Sequence, residues 1–426
     1  MLTPKVVKSR KILFVIPSHD GEVQDKIVHK YFRNSVVKYM PLGVLSLAAC
    51  LKGNDVSILD ASSKGMTLEE TIQEIEIIKP DILALSVSTY RAWAMTEILK
   101  KTTALIKIVG GPHATYNSTK ILEQGAHAVF VGDAEYTLPR WIDEGCPSGI
   151  FHGEPVNLNK IPLPNRNLVN LDDYRIVPNN DILFNAGDLR LPIFSSKGCP
   201  YKCIYCDVQQ KAFNWKTPER VIEEFQTLID MGATSIHILD DCFNIKKDRV
   251  LEICTLLLKG GIDVDWSVRG TVEINEDVIK SIAEAGCKRF HAGIEHFDDN
   301  VLKYFRKSHR YQHIEKFCEL CNKYGINVLV YLIIGVPGET KKYRKNLPEM
   351  IKKLNITMPF INVLSPLCNT PYYEGLLKDG TLKKDYWDEF IANPVRDFVM
   401  PSGRSSSQDE RLADTLNRYI EIFYKS

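Results

Sequence analysis

The stretch SSKGCPYKCIYCDVQQ, Ser195 to Gln210, places Cys199, Cys203 and Cys206 in one short loop, with Gly198 and Pro200 on either side of the first thiol. Three thiolates from a single loop can hold three corners of a cubic 4Fe-4S cluster and leave the fourth iron without a protein ligand. That open corner invites a small chelating ligand. A tetrahedral zinc site needs a fourth donor, and neither side of the loop supplies a second C-x-x-C knuckle. Structural thiols do not account for the glycine and proline beside Cys199. Cluster, zinc and packing remain the three roles this spacing allows.

On the C-terminal side of the loop, MGATSIHIL, GGIDVDWSV, AGCKRFHAG and YGINVLVYL each put a glycine between a helical stretch and the next strand. Gly232, Gly261, Gly286 and Gly325 fall where a helix ends in a left-handed residue, a region glycine enters without a Cβ penalty. With the strand before the cysteines and PFINVLS near the end, six βα units result. That is too few for a closed eight-unit barrel and enough for an open, TIM-like (β/α)6 one, whose active residues cluster at the strand C-termini.

On the N-terminal side, KILFVI, DVSILD, DILALSV, LIKIVGG and AHAVFVG read as strands joined by helical stretches such as LGVLSLAACLKG and TLEETIQEIEIIK. Near-continuous apolar strands alternating with helices imply a parallel sheet covered on both faces. Such a doubly wound, Rossmann-like domain carries its ligand at the carboxyl ends of the strands. Pro147, Pro155, Pro162, Pro164 and Pro178 then interrupt any regular period. The expected α/β organisation is a doubly wound domain over 1–143, a proline-rich linker over 144–190, a partial barrel over 191–370 and a small helical C-terminal tail over 371–426 with a covering role.

A chain of 426 residues is too long for one ordinary core, in keeping with two domains. Lys plus Arg number 54 against 53 Asp plus Glu, and a net charge of +1 gathers neither nucleic acid nor anionic lipid. The run Ile12 to Ile16 is too short for a secretory signal, and the longest apolar stretches fall short of the roughly 20 residues that span a bilayer. Eleven cysteines at irregular spacing suit thiols or metal ligands in a reducing compartment, so the expected location is the cytoplasm.

C-x-x-x-C-x-x-C with Tyr205 before the last cysteine, at the start of a partial barrel, resembles the radical S-adenosylmethionine superfamily. The resemblance implies that Cys199, Cys203 and Cys206 ligate the cluster and act catalytically, that the methionine amine and carboxylate chelate the open iron, and that one electron breaks a C–S bond to give a 5′-deoxyadenosyl radical. It also implies cofactor contacts from Tyr205, from Asp240 and Asp241 toward the ammonium, from Arg269 toward the carboxylate and from Glu295 toward the ribose. Gly335 and Gly338 in YLIIGVPGET would leave room for adenine. Taken singly, a strand-end Asp reads equally as a helix cap and a Gly-Pro neighbourhood as a turn.

MPLGVLSLAACL, VGGPHAT and GDAEYTLPRW, followed by IPLPNRNL, look like the cobalamin-binding class of that superfamily, over nearly the whole chain to about Ser365. At the strand ends Ser86, Ser88 and Thr89 offer hydroxyls, and Gly110 and Gly111 permit close approach of a flat ligand. His113 is a corrin-amide partner or a cap of the following helix. PSHDGE lacks the Asp-x-His-x-x-Gly loop in which a histidine coordinates cobalt, as many members of the radical class do, so His19 reads as a turn or solvent-facing residue more than as a cobalt ligand. The implied enzyme takes a 4Fe-4S cluster, S-adenosylmethionine and cobalamin. With a one-electron donor such as flavodoxin or ferredoxin, it methylates an unactivated centre of a small-molecule substrate held between corrin and adenosyl moiety. Cyclisation, ring contraction or anaerobic oxidation with the same cofactors is one alternative, and a cobalamin- or cluster-binding sensor without turnover is another.

Four further features draw blander expectations. Cys318 and Cys321 sit at helical spacing with Ile314, Phe317 and Leu320 and read as inert buried thiols. Cys242, next to the paired aspartates, stays undecided. Arg306, Lys307, His309 and Arg310 could neutralise an acidic substrate or a cofactor phosphate, but read rather as a solvated loop. SGRSSSQDER reads as a mobile segment.

Overall fold

The computed structural model describes residues 9–25, 27, 38–175, 187–208 and 212–424. The first eight residues, Pro178, Gln209 and Gln210 lie outside the described residues. Two compact units divide the chain, the first from residues up to 24, 38–174 and 385–400, the second from 25–37, 175–384 and 401–426.

In the first unit β1 (Lys11–Ile16), β2 (Asp55–Asp60), β3 (Ile82–Ser86), β4 (Ile106–Gly110), β5 (Ala128–Val131) and β6 (Gly149–His152) make one sheet in the order β2-β1-β3-β4-β5-β6. Every neighbouring pair is parallel. The connecting helices are α1 (Leu42–Cys50), α2 (Leu68–Ile78), α3 (Ala92–Lys101), α4 (Pro112–Glu123) and α5 (Thr137–Asp143). Alternate strand residues go to opposite faces. Leu13, Val15, Leu83 and Leu85 pack with Ile75, Met95, Ile98 and Ile121, while Ile12, Phe14, Ile82 and Ala84 pack with Val44, Ala48, Trp141 and Ile142. Both faces are buried, which is why these strands read as unbroken apolar runs. The strand order reverses between β1 and β3, so the loops after Ile16 and Ser86 frame the crevice where doubly wound sheets hold ligands.

Strand β6 lies in the segment expected to be linker. Its four residues, GIFH, pair with β5 because Phe151 stacks on Phe130 at 5.6 Å and meets Trp141 edge-on at 6.2 Å. Four residues between prolines carry too short a period to be seen in the sequence.

The second unit contains β7 (Arg190–Ile193), β8 (Ser235–Ile238), β9 (Asp265–Gly270), β10 (Cys287–Glu295), β11 (Asn327–Ile334) and β12 (Met358–Val363), all parallel and in sequential order. An open half-barrel of six strands results, with its helices α6 (Pro218–Asp230), α7 (Lys247–Lys259), α8 (Glu276–Glu284), α9 (Asp299–Tyr304), α10 (Tyr311–Lys323) and α11 (Lys341–Lys353) in the connections. The four junction glycines all adopt positive φ, from 60° at Gly261 to 95° at Gly286. Cys318 and Cys321 are buried on α10, and burial pushes both thiols up, Cys318 to about 12.

The C-terminal residues form α12 (Pro371–Lys378), α13 (Tyr386–Ala392) and α14 (Ser406–Phe423). Of these, α13 belongs to the first unit, where Lys120 of α4 pairs with Asp388 and the Gln124 amide donates to Ile391 O at 2.8 Å. The segment SGRSSSQDER is ordered, contrary to its expectation as mobile. Ser405 N donates to Gln408 Oε1 at 2.9 Å in a capping box, and Asp409 accepts from Ser402 Oγ at 2.7 Å and Arg404 Nε at 2.8 Å. Serines here serve as helix-start chemistry rather than as low-complexity filler. Among the described residues no helix is long and apolar enough to cross a membrane. Ser405→Ala is expected to cost about 0.5–2 kcal/mol and to speed amide exchange in the first turn of α14, read by hydrogen-exchange mass spectrometry.

Candidate functional site

Beyond β7 the chain is held by Asp240, which follows the neighbouring strand β8. Its Oδ1 accepts from the backbone N–H of Ser195 at 2.7 Å and of Ser196 at 2.9 Å, and its Oδ2 accepts from both serine hydroxyls at 2.5 Å. The carboxyl is fully buried, and burial raises its pKa against the opposing pull of the serines and of Arg249. Both oxygens of Asp240 are therefore committed to the protein, and it does not face the cavity described below. Asp241 does, while one of its oxygens accepts from Gly198 N at 3.0 Å. Gly198 itself has φ +89°, a turn that glycine makes readily just before Cys199.

The loop is pinned again at its middle. Ile204 N donates to Phe305 O at 3.3 Å, Tyr372 N donates to Ile204 O at 2.9 Å, and the Ile204 side chain packs among Val301, Phe305, Ile333 and Tyr372. Burying Ile204 leaves Cys203 and Cys206 lining a cavity of about 210 Å³ together with Cys199. The facing wall comes from the C-terminal ends of β8 to β10 and the loop after α9: Asp241, Arg269, Glu295 and Lys307, with Cys242 beside them and His291 and Tyr331 farther down their strands.

Arg269 donates from Nη2 to Leu239 O at 3.3 Å, whereas its buried Nε has no partner. Glu295 has φ +61° and follows a register shift between β10 and β11 at Gly293. A left-handed glutamate at a bulge is a strained backbone that re-aims one side chain. Its carboxylate meets Lys307 Nζ at 3.3 Å. The Tyr205 ring lies edge-on to Phe305 at 4.8 Å, and burial, then the charge of Glu295 and of Cys203, holds its phenol well above the usual range.

Lys307 and His309 correct the expectation of a solvated loop. Phe305 is buried, Lys307 lines the cavity with Ser308 beside it, and His309 is fully buried with Nε2 3.3 Å from Ile294 O. Arg306 is exposed. Nothing in the local pattern R-K-S-H-R marks which residues turn inward, because buried and exposed positions alike carry basic residues. Gly335 and Gly338 do not line the cavity. A Cβ on Gly335, at φ +76°, would stand 2.9 Å from Leu412 Cδ1 of α14, so that glycine admits a helix of this chain.

In the first unit Thr89 Oγ1 stands 3.2 Å from Nδ1 of His113, and Asn117 Nδ2 stands 3.3 Å from the same nitrogen. His113 is fully buried, its Nε2 has no partner, and burial lowers its pKa to about 4. A Cβ on Gly111, at φ +90°, would lie 2.9 Å from Val87 N. That glycine lets the backbones that follow β3 and β4 come close together. Gly110 and Ser86 close β4 and β3, paired side by side. His19 is neither loose nor simply solvent-facing: Nδ1 meets Glu22 at 2.7 Å, Nε2 meets Ser62 Oγ at 2.7 Å, and Arg91 Nη2 approaches at 3.1 Å. Sequence reasoning missed Glu22 and Arg91, which lie in separate loops.

The donor set fits a polynuclear group. Among the described residues no three His, Cys, Asp or Glu side chains converge as ligands of one metal ion do. Three thiols of one loop sharing one cavity is instead what a cubane needs, each cysteine on a different iron. The unpartnered Arg269 Nε and the free side of Asp241 fit a small zwitterion beside it.

Comparison with known proteins bears on both units. The radical SAM superfamily matches residues 193–351, and the B12 binding domain matches residues 28–142. An uncharacterised methyltransferase of Pyrococcus horikoshii is 26% identical over 421 residues, covering 91% of this chain and 88% of that protein. Bacteriochlorophyllide d C-8(2)-methyltransferase of Chlorobaculum tepidum is 24% identical over 328 residues, covering 73% and 71%. The structure of the radical S-adenosylmethionine methyltransferase TsrM from Kitasatospora setae, with cobalamin and a 4Fe-4S cluster bound, superposes with a TM-score of 0.68 at 16% identity, covering 96% and 88%.

Two outcomes follow from the geometry. Asp240→Asn places an amide N–H₂ against serine donors and is expected to cost about 3 kcal/mol or more, whereas Asp241→Asn costs about 1 kcal/mol or less; thermal melting separates them. The unfolded chain protonates a histidine near its ordinary value of about 6.5, folded His113 only near 4. Its contribution is thus complete above about pH 6.5 and is lost as pH falls toward 4, amounting to about 2 kcal/mol at pH 5. Urea denaturation at pH 7 and pH 5 should show a smaller loss for His113→Gln than for the wild type.

Proposed function

Starting from the premise that the chain belongs to the cobalamin-binding radical S-adenosylmethionine enzymes, we propose that it methylates an unactivated centre of a small-molecule substrate. The observation that carries the reading is the single cavity shared by Cys199, Cys203, Cys206, Asp241, Arg269 and Glu295, in a chain that also has a B12 binding domain. The relatives named above as methyltransferases favour methyl transfer over other radical outcomes. When bound, the cluster supplies one electron, S-adenosylmethionine the radical and the methyl group, and cobalamin the methyl carrier.

The residues divide the remaining work. Cys199, Cys203 and Cys206 hold three irons. Asp241, with one oxygen still facing the cavity, accepts from the methionine ammonium, and the unpartnered Nε of Arg269 meets the carboxylate. Glu295 takes the ribose hydroxyls, with Tyr205 lining the same wall. Asp240 has a scaffolding role, and Gly335 and Gly338 act at a distance from the cavity wall by admitting Leu412 and by turning the chain. Thr89 and His113, with Ser86, Gly110 and Gly111 at the strand ends, form the side of the first unit's sheet that takes the corrin. His19, tied by three partners, is kept from cobalt. Fixed placement and exclusion of water carry selectivity, since a primary radical attacks whatever it meets first.

The electron comes from a flavodoxin or ferredoxin. A reducing cytoplasm suits the eleven cysteines, none of which is in a disulfide. Reduced, reconstituted enzyme given methyl-labelled S-adenosylmethionine should yield a labelled product and 5′-deoxyadenosine by mass spectrometry. Cys203→Ala should reduce both by at least about 10³-fold. A product free of label would replace methyl transfer with cyclisation, ring contraction or oxidation, and no 5′-deoxyadenosine at all would leave only a sensor. Asp241→Asn should weaken S-adenosylmethionine binding about tenfold in equilibrium dialysis.

A further inference from the structure

We propose that Lys307 sets the reduction potential of the iron-sulfur site, its buried positive charge favouring the reduced cluster. The inference rests on the cluster reading above and assigns a residue that the sequence pattern hides. Lys307 lines the same cavity as the three cysteines, and its Nζ pairs with Glu295 Oε1 at 3.3 Å. A recess left by Gly293 houses the pair: a Cβ there would stand 2.8 Å from Glu295 Oε1 and 3.6 Å from Lys307 Nζ. The bulge after Gly293 and the left-handed backbone of Glu295 turn the carboxylate into that recess. Such strain persists only where surrounding structure enforces it.

The charge shares the cavity of the thiols, since Lys307 lines it together with Cys199, Cys203 and Cys206. Burial disfavours the charged lysine, yet the ion pair with Glu295 outweighs that and keeps Lys307 protonated. Tyr205 lines the same cavity beside Glu295 and Cys203. Lys307 and Glu295 thus line the cavity of the sulfurs together, with opposite charges.

Reduction moves one electron from the donor, which is oxidised, to the cluster, which gains one unit of negative charge; no bond or proton changes place. At an effective dielectric of about 20, a unit charge roughly 10 Å away shifts such an equilibrium about tenfold. Removing Lys307 therefore makes the cluster harder to reduce, and removing the charge of Glu295 makes it easier.

The test uses full-length enzyme reconstituted anaerobically, as wild type, Lys307→Met, Lys307→Arg and Glu295→Gln. Iron and sulfide analysis with Mössbauer spectra first establishes the cubane, and its absence from the wild type would sink the cluster reading itself. Potentiometric titration followed by electron paramagnetic resonance, without S-adenosylmethionine, then reads the midpoint. Lys307→Met should lower it by about 59 mV, a tenfold change for one electron, Lys307→Arg should keep it, and Glu295→Gln should raise it. An unchanged midpoint in Lys307→Met with the cubane intact overturns the proposal, even if cofactor affinity falls, because Lys307 would then be a cofactor contact alone. If Lys307→Met assembles no cubane, Glu295→Gln decides: a rise supports the proposal, and no change or a fall overturns it.

Discussion

One buried carboxylate determines where the cysteine loop sits. Asp240 accepts four hydrogen bonds from Ser195 and Ser196, so the chain cannot leave the first barrel strand except along the path that delivers Cys199 to the cavity. A charged acceptor deprived of its donors in a dry interior would be costly, which makes the clamp nearly obligatory once the strand is buried. Asp241 is then free for the cavity.

The second constraint is strain at the opposite wall. Glu295 pairs with Lys307 from a left-handed backbone at a bulge, with Gly293 giving the pair its room. Deeper among the strands the histidines are held neutral: burial first, then neighbouring basic groups, keeps His237 and His291 far below their ordinary range. A site built this way offers few protons to move. That agrees with chemistry in which geometry and electron supply, rather than acid-base groups, do the discriminating.

Much of this was legible in the sequence. Apolar runs buried on both faces cannot hide their period, and the glycines at helix ends announced each βα unit of the barrel, so the α/β class and the six-stranded half-barrel could be read directly. The cysteine loop was legible for a different reason, because ligand number and spacing are properties of a short segment. What escaped were features whose cause is distant in sequence. Strand β6 needs Phe130 and Trp141 to explain it. The ordered start of α14 needs Asp409 and Gln408 to give its serines a purpose, and Lys307 needs the barrel to turn an evenly basic loop inward.

The adjacent pair Asp240 and Asp241 draws the line between the two kinds of knowledge. Composition, periodicity and the thiol spacing by themselves determined a two-part α/β chain with a three-cysteine loop at a strand end, since each of these depends on residues that are neighbours along the backbone. Only the tertiary structure decided which aspartate the serines enclose and which lines the cavity, which glycine admits a helix, and which lysine shares the cavity of the cysteines. Those assignments depend on partners brought together by folding, and hydrogen bonds and charges act through space rather than along the chain.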